Sequence, residues 1–383
     1  MIRFNKAILL LGEKMGLNLE LIPIPGYEKV VKITNESAGL TAIIAMHSTA
    51  LGPALGGTRI FPYTSFDEAL DDVLRLSKGM TYKSAITETG LGGGKSVIIA
   101  DPKTEKTPEL LRAFGEAVNR LEGEYVCAED VGCTTDDVAI IRQATPYVTG
   151  LTHSGSSGNP SPFTAWGTYR SMHAVCYHLF GDASLKGKRV AIQGLGSVGI
   201  EIARLLFWEG AEIILADIDA ERAAEYGHTF AATVVSPSEI LSQECDILAP
   251  CALGGMLNDE TIDTLRCKAV VGCANNQLLR DDHAEALRER DILYAPDFVV
   301  NAGGLVNVTC EILPEGYRAD IARDRTDAIY ERMLTILTVA DRNGQSPHKA
   351  AIALCDYRVQ HSIGKREVPP HFHHTSDLEP ALS

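Results

Sequence analysis

Arg189 to Gly199 reads RVAIQGLGSVG, and this stretch decides the fold. Arg189 to Gln193 predicts a strand; Gly194, Leu195, Gly196, Ser197, Val198 and Gly199 follow as a G-x-G-x-x-G turn. Ile200, Ala203, Leu206 and Phe207 then give a helix its apolar side. A lone G-x-G-x-x-G is weak. Here it stands between strand and helix, and the next strand, Glu212 to Ala216, ends in Asp217, 23 residues after the first glycine. Such a unit suits a dinucleotide: the glycines allow a tight turn and close approach of a pyrophosphate, and the helix N-terminus offers amide donors. Asp217 would accept ribose hydroxyls and repel a 2′-phosphate, and Asp219 adds negative charge, so NAD is expected rather than NADP. Arg222 opposes that choice. The plainer alternative is a glycine-rich turn in an α/β domain that binds nothing.

Further strands are expected at 246–249, 269–272, 292–295 and 298–300, with a long helix at 317–342 and another at 346–361. Cys251-Ala252-Leu253-Gly254-Gly255 and Gly272 to Gln277 follow strands, as does Asn301-Ala302-Gly303-Gly304-Leu305. Ligands of open α/β sheets bind beyond the carboxyl ends of strands. Cys251 and Ala252 are therefore cofactor candidates, and Asn276 could hydrogen-bond nicotinamide or substrate; otherwise it is a turn asparagine.

Upstream, HSGSSGNPSP (153–162) marks a crossing between domains, and Ser161-Pro162 opens a helix to about Phe180. The earlier half alternates strands at 40–47, 96–100 and 125–128 with three capped helices. These begin at Ser65-Phe66-Asp67-Glu68, at Thr107-Pro108 and at Thr134 or Thr135. LGPALGGTR (51–59) reads as a glycine-rich turn segment. The fold class is thus α/β in two domains. Residues 1–150 form a substrate-binding and catalytic domain with 343–383 packing back on it, and 151–342 form a Rossmann-type, doubly wound NAD-binding domain.

MTYKSAITETGLGGGK (80–95) carries the chemistry. GGGKS is no P-loop, because Thr89 stands where the first glycine of that motif is required. Lys83 and Lys95 lie beside a glycine run that lets backbone approach a ligand. If both face one pocket, one holds a carboxylate. The other, disfavoured as a cation by its like neighbour and by burial, becomes a base, with Asp130 in CAEDVG as partner acid/base. Two surface lysines are the ordinary alternative, and Glu129 reads as a surface residue.

The totals exclude several classes. The net charge of −15 argues against nucleic acid and anionic membranes. No apolar run reaches the roughly 18 residues of a spanning helix. The patch at Ala7 to Leu11 lacks a cleavage site, so no secretory signal is expected. Nine cysteines without a C-x-x-C pair suit buried thiols in a reducing, cytoplasmic compartment. His371, His373 and His374 read as a solvated tail, and no metal is expected.

LGPALGGTR (51–59), GMTYKSA (79–85), LGGGKSVI (91–98), AEDVG (128–132), SSGNPSP (156–162), APCALGG (249–255), ANNQL (274–278) and APDFVVNAGGLVNV (295–308) stand in one order. Together they resemble the glutamate/leucine/phenylalanine/valine dehydrogenase family, most closely its leucine dehydrogenase branch, from about Tyr27 to the final helices. The resemblance implies NAD-dependent, reversible oxidative deamination of an L-amino acid to its 2-oxo acid and ammonium, with two domains closing over the substrate. By it, Lys83 would bind the substrate carboxylate, Lys95 would activate water against the imine, and Asp130 would shuttle protons at the substrate nitrogen. Asn276 would fix substrate and nicotinamide, and Thr164 the nicotinamide amide. Gly56, Gly57, Leu55, Ala128, Leu305 and Val308 would form the substrate site, whose apolar side chains suit leucine, valine or isoleucine. Leu305 stands where the family pattern leads one to expect a smaller valine, which tightens the pocket toward valine or reshapes it; Phe163 and Trp166 are bulkier than expected beside the nicotinamide helix, which leaves an aromatic (phenylalanine, tryptophan) or specialised amino acid as the alternative substrate. A catalytically silent NAD-binding regulatory subunit is the alternative from another class. A homo-oligomer is expected, of unspecified size.

Overall fold

The computed structural model describes residues 16–151, 155–252 and 254–372. Ala7 to Leu11, His153, Leu253, His373, His374 and the tail beyond lie outside the described residues. The chain divides into two compact units. One comprises residues up to Gly158 with Val308–Arg318 and the chain from Arg358; the other comprises Asn159–Asn307 and Ala319–Tyr357. The first crossing falls at 158/159 rather than 150/151, and the last helix up to Tyr357 groups with the second unit rather than the first.

The first unit is built from β1 (Leu17–Leu21), β2 (Lys29–Asn35), β3 (Leu40–Ser48), β4 (Ala54–Phe61), α1 (Phe66–Thr87), β5 (Gly92–Ile99), α2 (Pro108–Asn119), β6 (Tyr125–Glu129) and α3 (Thr135–Arg142). The strands form one mixed sheet in the order β1-β2-β3-β5-β4-β6, antiparallel from β1 to β5 and parallel from β5 to β6. β3 is buried on both faces, which is why LTAIIAMH reads as a continuous apolar run. At the edge, β1 buries Leu17 and Leu19 and exposes Asn18 and Glu20, the alternation of a one-sided strand.

Two sequence expectations change here. LGPALGGTR is strand β4 from Ala54, and the glycine run is the start of β5. The glycines serve close packing rather than turning. A Cβ on Gly57 would stand 2.3 Å from the Glu129 carbonyl oxygen, and one on Gly93 would stand 2.0 Å from the Thr81 amide nitrogen of α1. That helix starts where the Ser65 hydroxyl accepts from the Glu68 N–H at 3.1 Å. It then runs through Gly79 to Thr87 and stops at Glu88, whose φ is +55°.

The second unit comprises α4 (Ser161–Phe180), β7 (Arg189–Gln193), α5 (Ser197–Glu209), β8 (Glu212–Ala216), α6 (Ala220–Thr229), β9 (Thr233–Val234), β10 (Cys245–Pro250), α7 (Asp259–Ile262) and β11 (Cys267–Val270). It continues through α8 (His283–Glu289), β12 (Leu293–Tyr294), α9 (Asp297–Val300), α10 (Gly303–Thr309, to Asn307), α11 (Ala319–Asp327), α12 (Ile329–Asn343) and α13 (Pro347–Gln360, to Tyr357). Its sheet is parallel throughout, ordered β12-β11-β10-β7-β8-β9. Strand order reverses between β7 and β10, the switch point of a doubly wound Rossmann fold. The run at 298–300 is helix α9, not a strand, since a short apolar run carries no period to tell the two apart. The helix expected over 317–342 breaks into α11 and α12 around Ala328, whose carbonyl-rich bend is met by Arg332 Nη1 on Arg325 O at 3.3 Å.

Candidate active site

In the first unit the sheet collects the polar groups on the face that α1 covers. Side chains alternate along a strand. Gly93 packs on Thr81, so Lys95 and Val97 leave the same face as Gly93. On β4 that face holds Leu55, Gly57 and Arg59, because a Cβ on Gly57 would lie 2.9 Å from Asp130 Cβ. Gly57 pairs in register with Ala128 of β6, which adds Ala128 and Asp130. Leu55, Gly57, Lys95, Ala128 and Asp130 are therefore neighbours on one surface. Gly56 turns to the opposite face, where a Cβ would stand 1.8 Å from the Gly94 carbonyl oxygen and where its own carbonyl accepts from the Tyr125 hydroxyl at 2.7 Å.

Lys95 is 6% exposed, and its Nζ lies 3.1 Å from Asp130 Oδ2. Asp130 is fixed by a turn in which its N–H and C=O both pair with Cys133, with Gly132 at φ +78°. Arg59 Nε donates to the same Oδ2 at 2.9 Å, Arg59 Nη1 to Asp72 Oδ2 at 2.8 Å, and the Tyr63 hydroxyl to that Asp72 oxygen at 2.7 Å. Burial, opposed by the Asp130 charge and aided by that of Arg59, holds the Lys95 ammonium below the ordinary lysine range. Burial alone would push the Asp130 carboxyl up. Lys95 and Arg59 outweigh it and hold the group below the usual carboxylate range. Glu129 is pushed up by burial and by the adjacent Asp130 charge.

Lys83 is half-buried on α1, and its carbonyl accepts from the Thr87 hydroxyl at 2.6 Å. It follows Asp72 by 11 residues. At about 100° per residue that is roughly 20° off whole turns, so Lys83 shares a helix face with Asp72, about 16 Å further along. Asp72 is the residue that reaches Arg59. Gly150 brings the apolar candidates together: a Cβ there would lie 3.9 Å from both Ala128 Cβ and Val308 Cγ1. Leu305 precedes Val308 by three residues on α10, one face of a helix.

The second unit presents the dinucleotide candidates at its switch point. Gly194, at φ +97°, lies beneath Ala252, and Gly199 packs against the Gly194 carbonyl and Cys251 Cβ. Around Gly196 a Cβ would meet nothing within 4 Å, and no side chain caps α5 there. Open space at bare helix N–H groups fits a pyrophosphate, with Ser197 and Val198 in the first turn. Leu195 N–H donates to Asp217 Oδ2 at 2.6 Å, and Arg222 Nη1 stands 3.8 Å from Asp217 Oδ1. Asn276 is exposed with φ +51° after β11, its loop braced by Asn301 Nδ2 on Cys273 O at 3.1 Å and Asn275 Oδ1 at 2.8 Å. Thr164, in the first turn of α4, bonds Pro160 O at 3.2 Å and packs on Gly304.

The sequence reading missed Arg59, Asp72 and Tyr63, since with 51–59 read as a turn nothing local marked Arg59. It also missed Glu311. That 8% exposed carboxylate accepts from the Thr149 hydroxyl and Gly150 N–H, each at 2.8 Å, and from Ser157 N–H at 2.6 Å. No metal-binding group of His, Cys, Asp and Glu occurs among the described residues.

Residues 28–147 match the model of the Glu/Leu/Phe/Val dehydrogenase dimerisation domain, and residues 215–359 that of the Glutamate/Leucine/Phenylalanine/Valine dehydrogenase domain. A leucine dehydrogenase of Thermoactinomyces intermedius is 48% identical over 87% of this chain and 91% of its own. A phenylalanine dehydrogenase of Bacillus thermotolerans is 43% identical over 92% of each. The crystal structure of L-tryptophan dehydrogenase from Nostoc punctiforme superposes with a TM-score of 0.79 at 42% identity, covering 88% of this chain and 96% of that one. The chain thus belongs to the Glu/Leu/Phe/Val dehydrogenase family, a family of NAD(P)-dependent enzymes, and is an amino acid dehydrogenase with a Rossmann domain.

Proposed function

We propose that the protein oxidises a branched, apolar L-amino acid (leucine, valine or isoleucine) to its 2-oxo acid and ammonium with NAD, reversibly. The observation that carries this reading is the buried Lys95–Asp130 pair at 3.1 Å beside Leu55 and Ala128. Lys83 anchors the substrate carboxylate. Asp130 takes and returns the proton of the substrate nitrogen. Lys95, disfavoured as a cation, draws a proton from the water that attacks the imine. Leu55, Ala128, Val308 and Leu305 meet the side chain, and none offers the cation that a glutamate side chain would need. The nicotinamide cofactor supplies the redox step. Gly194 to Gly199, Cys251 and Ala252 receive its pyrophosphate, Thr164 and Asn276 its amide, and Asp217 its ribose. We place the protein in the cytoplasm as a homo-oligomer; no described helix is long and apolar enough to cross a membrane.

An aromatic substrate is the second reading, favoured by Gly150 standing between Ala128 and Val308, where the absence of a side chain leaves width. NADH formation at alkaline pH with each of the twenty amino acids tests both. Highest kcat/KM on leucine, valine or isoleucine supports the first and on phenylalanine or tryptophan the second; binding of NADH without turnover of any amino acid sinks both.

A further inference from the structure

Asp130 Oδ2 receives two cations, Lys95 Nζ at 3.1 Å and Arg59 Nε at 2.9 Å. A base that must lose its proton beside a buried carboxylate meets a difficulty: once neutral, it leaves that carboxylate without a counter-charge, and the pair resists deprotonation. A guanidinium cannot be deprotonated in a protein and presents a rigid fork. We propose that Arg59 is a positioning residue for the reaction, gripping Asp130 as a lasting counter-charge so that Lys95 can release its proton without stranding the carboxylate. This rests on the functional reading above and adds a residue to it.

The grip is itself anchored. Arg59 Nη1 is held by Asp72 Oδ2 at 2.8 Å, that oxygen also takes the Tyr63 hydroxyl at 2.7 Å, and Arg75 Nη2 meets Asp72 Oδ1 at 3.1 Å. Four elements thus converge: Arg59 from β4, Lys95 from β5, Asp130 at the end of β6, and Asp72 from α1. Other titratable groups on the elements packed here include Tyr63 after β4, Lys83 and Arg75 on α1, Glu129 and Tyr125 on β6, Cys127 and Cys133 on and after β6, and His47 on β3, which reaches Thr81 Oγ1 at 2.9 Å. Of these, the charges acting on Lys95 most directly are Asp130, Arg59 and Asp72. Asp130 and Asp72 favour its ammonium form; Arg59 opposes it.

The opposed signs give the test. The acid limb of log kcat/KM for oxidation of L-leucine by NAD is measured on the full-length protein, with NADH binding and thermal unfolding recorded for every variant. Arg59→Met is expected to move the limb to higher pH by on the order of one unit, a loss of about tenfold below it. Arg59→Lys keeps a charge there and leaves the limb nearly in place at lower amplitude. Asp72→Asn keeps an amide oxygen to accept from Arg59 Nη1 but removes a negative charge, so with the grip kept the limb moves to lower pH. A limb unmoved or moved to lower pH in Arg59→Met overturns the proposal while leaving the dehydrogenase reading intact. If Arg59→Met fails to fold, Arg59→Gln decides: a limb that does not move to higher pH overturns it. A wild-type protein that binds NADH yet oxidises no L-amino acid overturns the reading and this proposal together.

Discussion

Lys95 Nζ and Arg59 Nε meet one oxygen of Asp130, at 3.1 and 2.9 Å, and Lys95 is the cation of the two with the least contact with water. A buried ammonium costs desolvation that its partner offsets only in part, and removing it is destabilising chiefly where the remaining carboxylate is left without a counter-charge. Arg59 remains to pair Asp130. Lys95→Met is therefore expected to lower kcat/KM by about a hundredfold to ten-thousandfold without lowering the unfolding temperature. Asp130→Asn should lose activity comparably and also unfold earlier, because it leaves the buried Lys95 without its carboxylate, while Arg59 keeps Asp72. Steady-state kinetics and thermal melts on both variants check this; an unfolding temperature that falls sharply for Lys95→Met would contradict it.

The depressed Lys95 also fixes a pH dependence of stability. Its ammonium is held below the unfolded value of about 10.4. Between the folded and unfolded values the unfolded chain binds more protons, so stability rises with pH across that window. Asp130 acts at the acid end. Its contribution is present above the unfolded value of about 3.9 and is lost as pH falls through the lower folded one. Urea midpoints measured across the alkaline range should show the rise in the wild type and not in Lys95→Met.

How much of this was legible in the sequence depends on range. GLGSVG could be read because its demands are local: Gly194 turns at φ +97° within a strand-to-helix step of six residues. The parallel, doubly wound class of the domain around it followed from alternating strand and helix signals. Arg59 could not be read, because its partners Asp130 and Asp72 lie 71 and 13 residues away and meet it only once β4, β6 and α1 are packed. The glycines of LGPALGGTR misled for a related reason. Glycine signals both turns and close approach, and only the neighbouring strand reveals which applies.

Asp217 tests the choice of dinucleotide. Its carboxylate is buried against Leu195 N–H, and Arg222 approaches from the outside at 3.8 Å. A 2′-phosphate placed there meets Asp217 before it can profit from Arg222, so NAD should be preferred. Asp217→Ser is expected to lower the ratio of kcat/KM for NAD over NADP by on the order of tenfold, equal to roughly 1.4 kcal/mol of repulsion removed. The ratio cancels any loss common to both cofactors. An unchanged ratio would refute the assignment.

Val308 tests the side-chain pocket. Its Cγ1 and Ala128 Cβ are both 3.9 Å from where a Cβ on Gly150 would lie. Val308→Ala removes two methyl groups from that wall. Each methylene is worth about 1–3 kcal/mol in discrimination, so kcat/KM for phenylalanine relative to valine should rise at least about tenfold. If the ratio stays fixed, Val308 does not border the substrate.

Glu311 tests the packing behind Gly150 rather than the reacting groups. One carboxylate oxygen accepts from Thr149 Oγ1 and Gly150 N, the other from Ser157 N. Glutamine has the same size but only one acceptor oxygen; its NH2 group must face either the Gly150 N–H or the Ser157 N–H, donor against donor. A buried donor left unpaired costs about 1–3 kcal/mol, so Glu311→Gln should unfold at lower urea with an unchanged slope. Because Gly150 lies beside Ala128 and Val308, the same change should weaken substrate binding more than it slows turnover, raising KM over kcat. NADH affinity, which depends on the Rossmann unit, should stay as it was. A variant as stable as the wild type would mean that the three donors find other acceptors when Glu311 is altered.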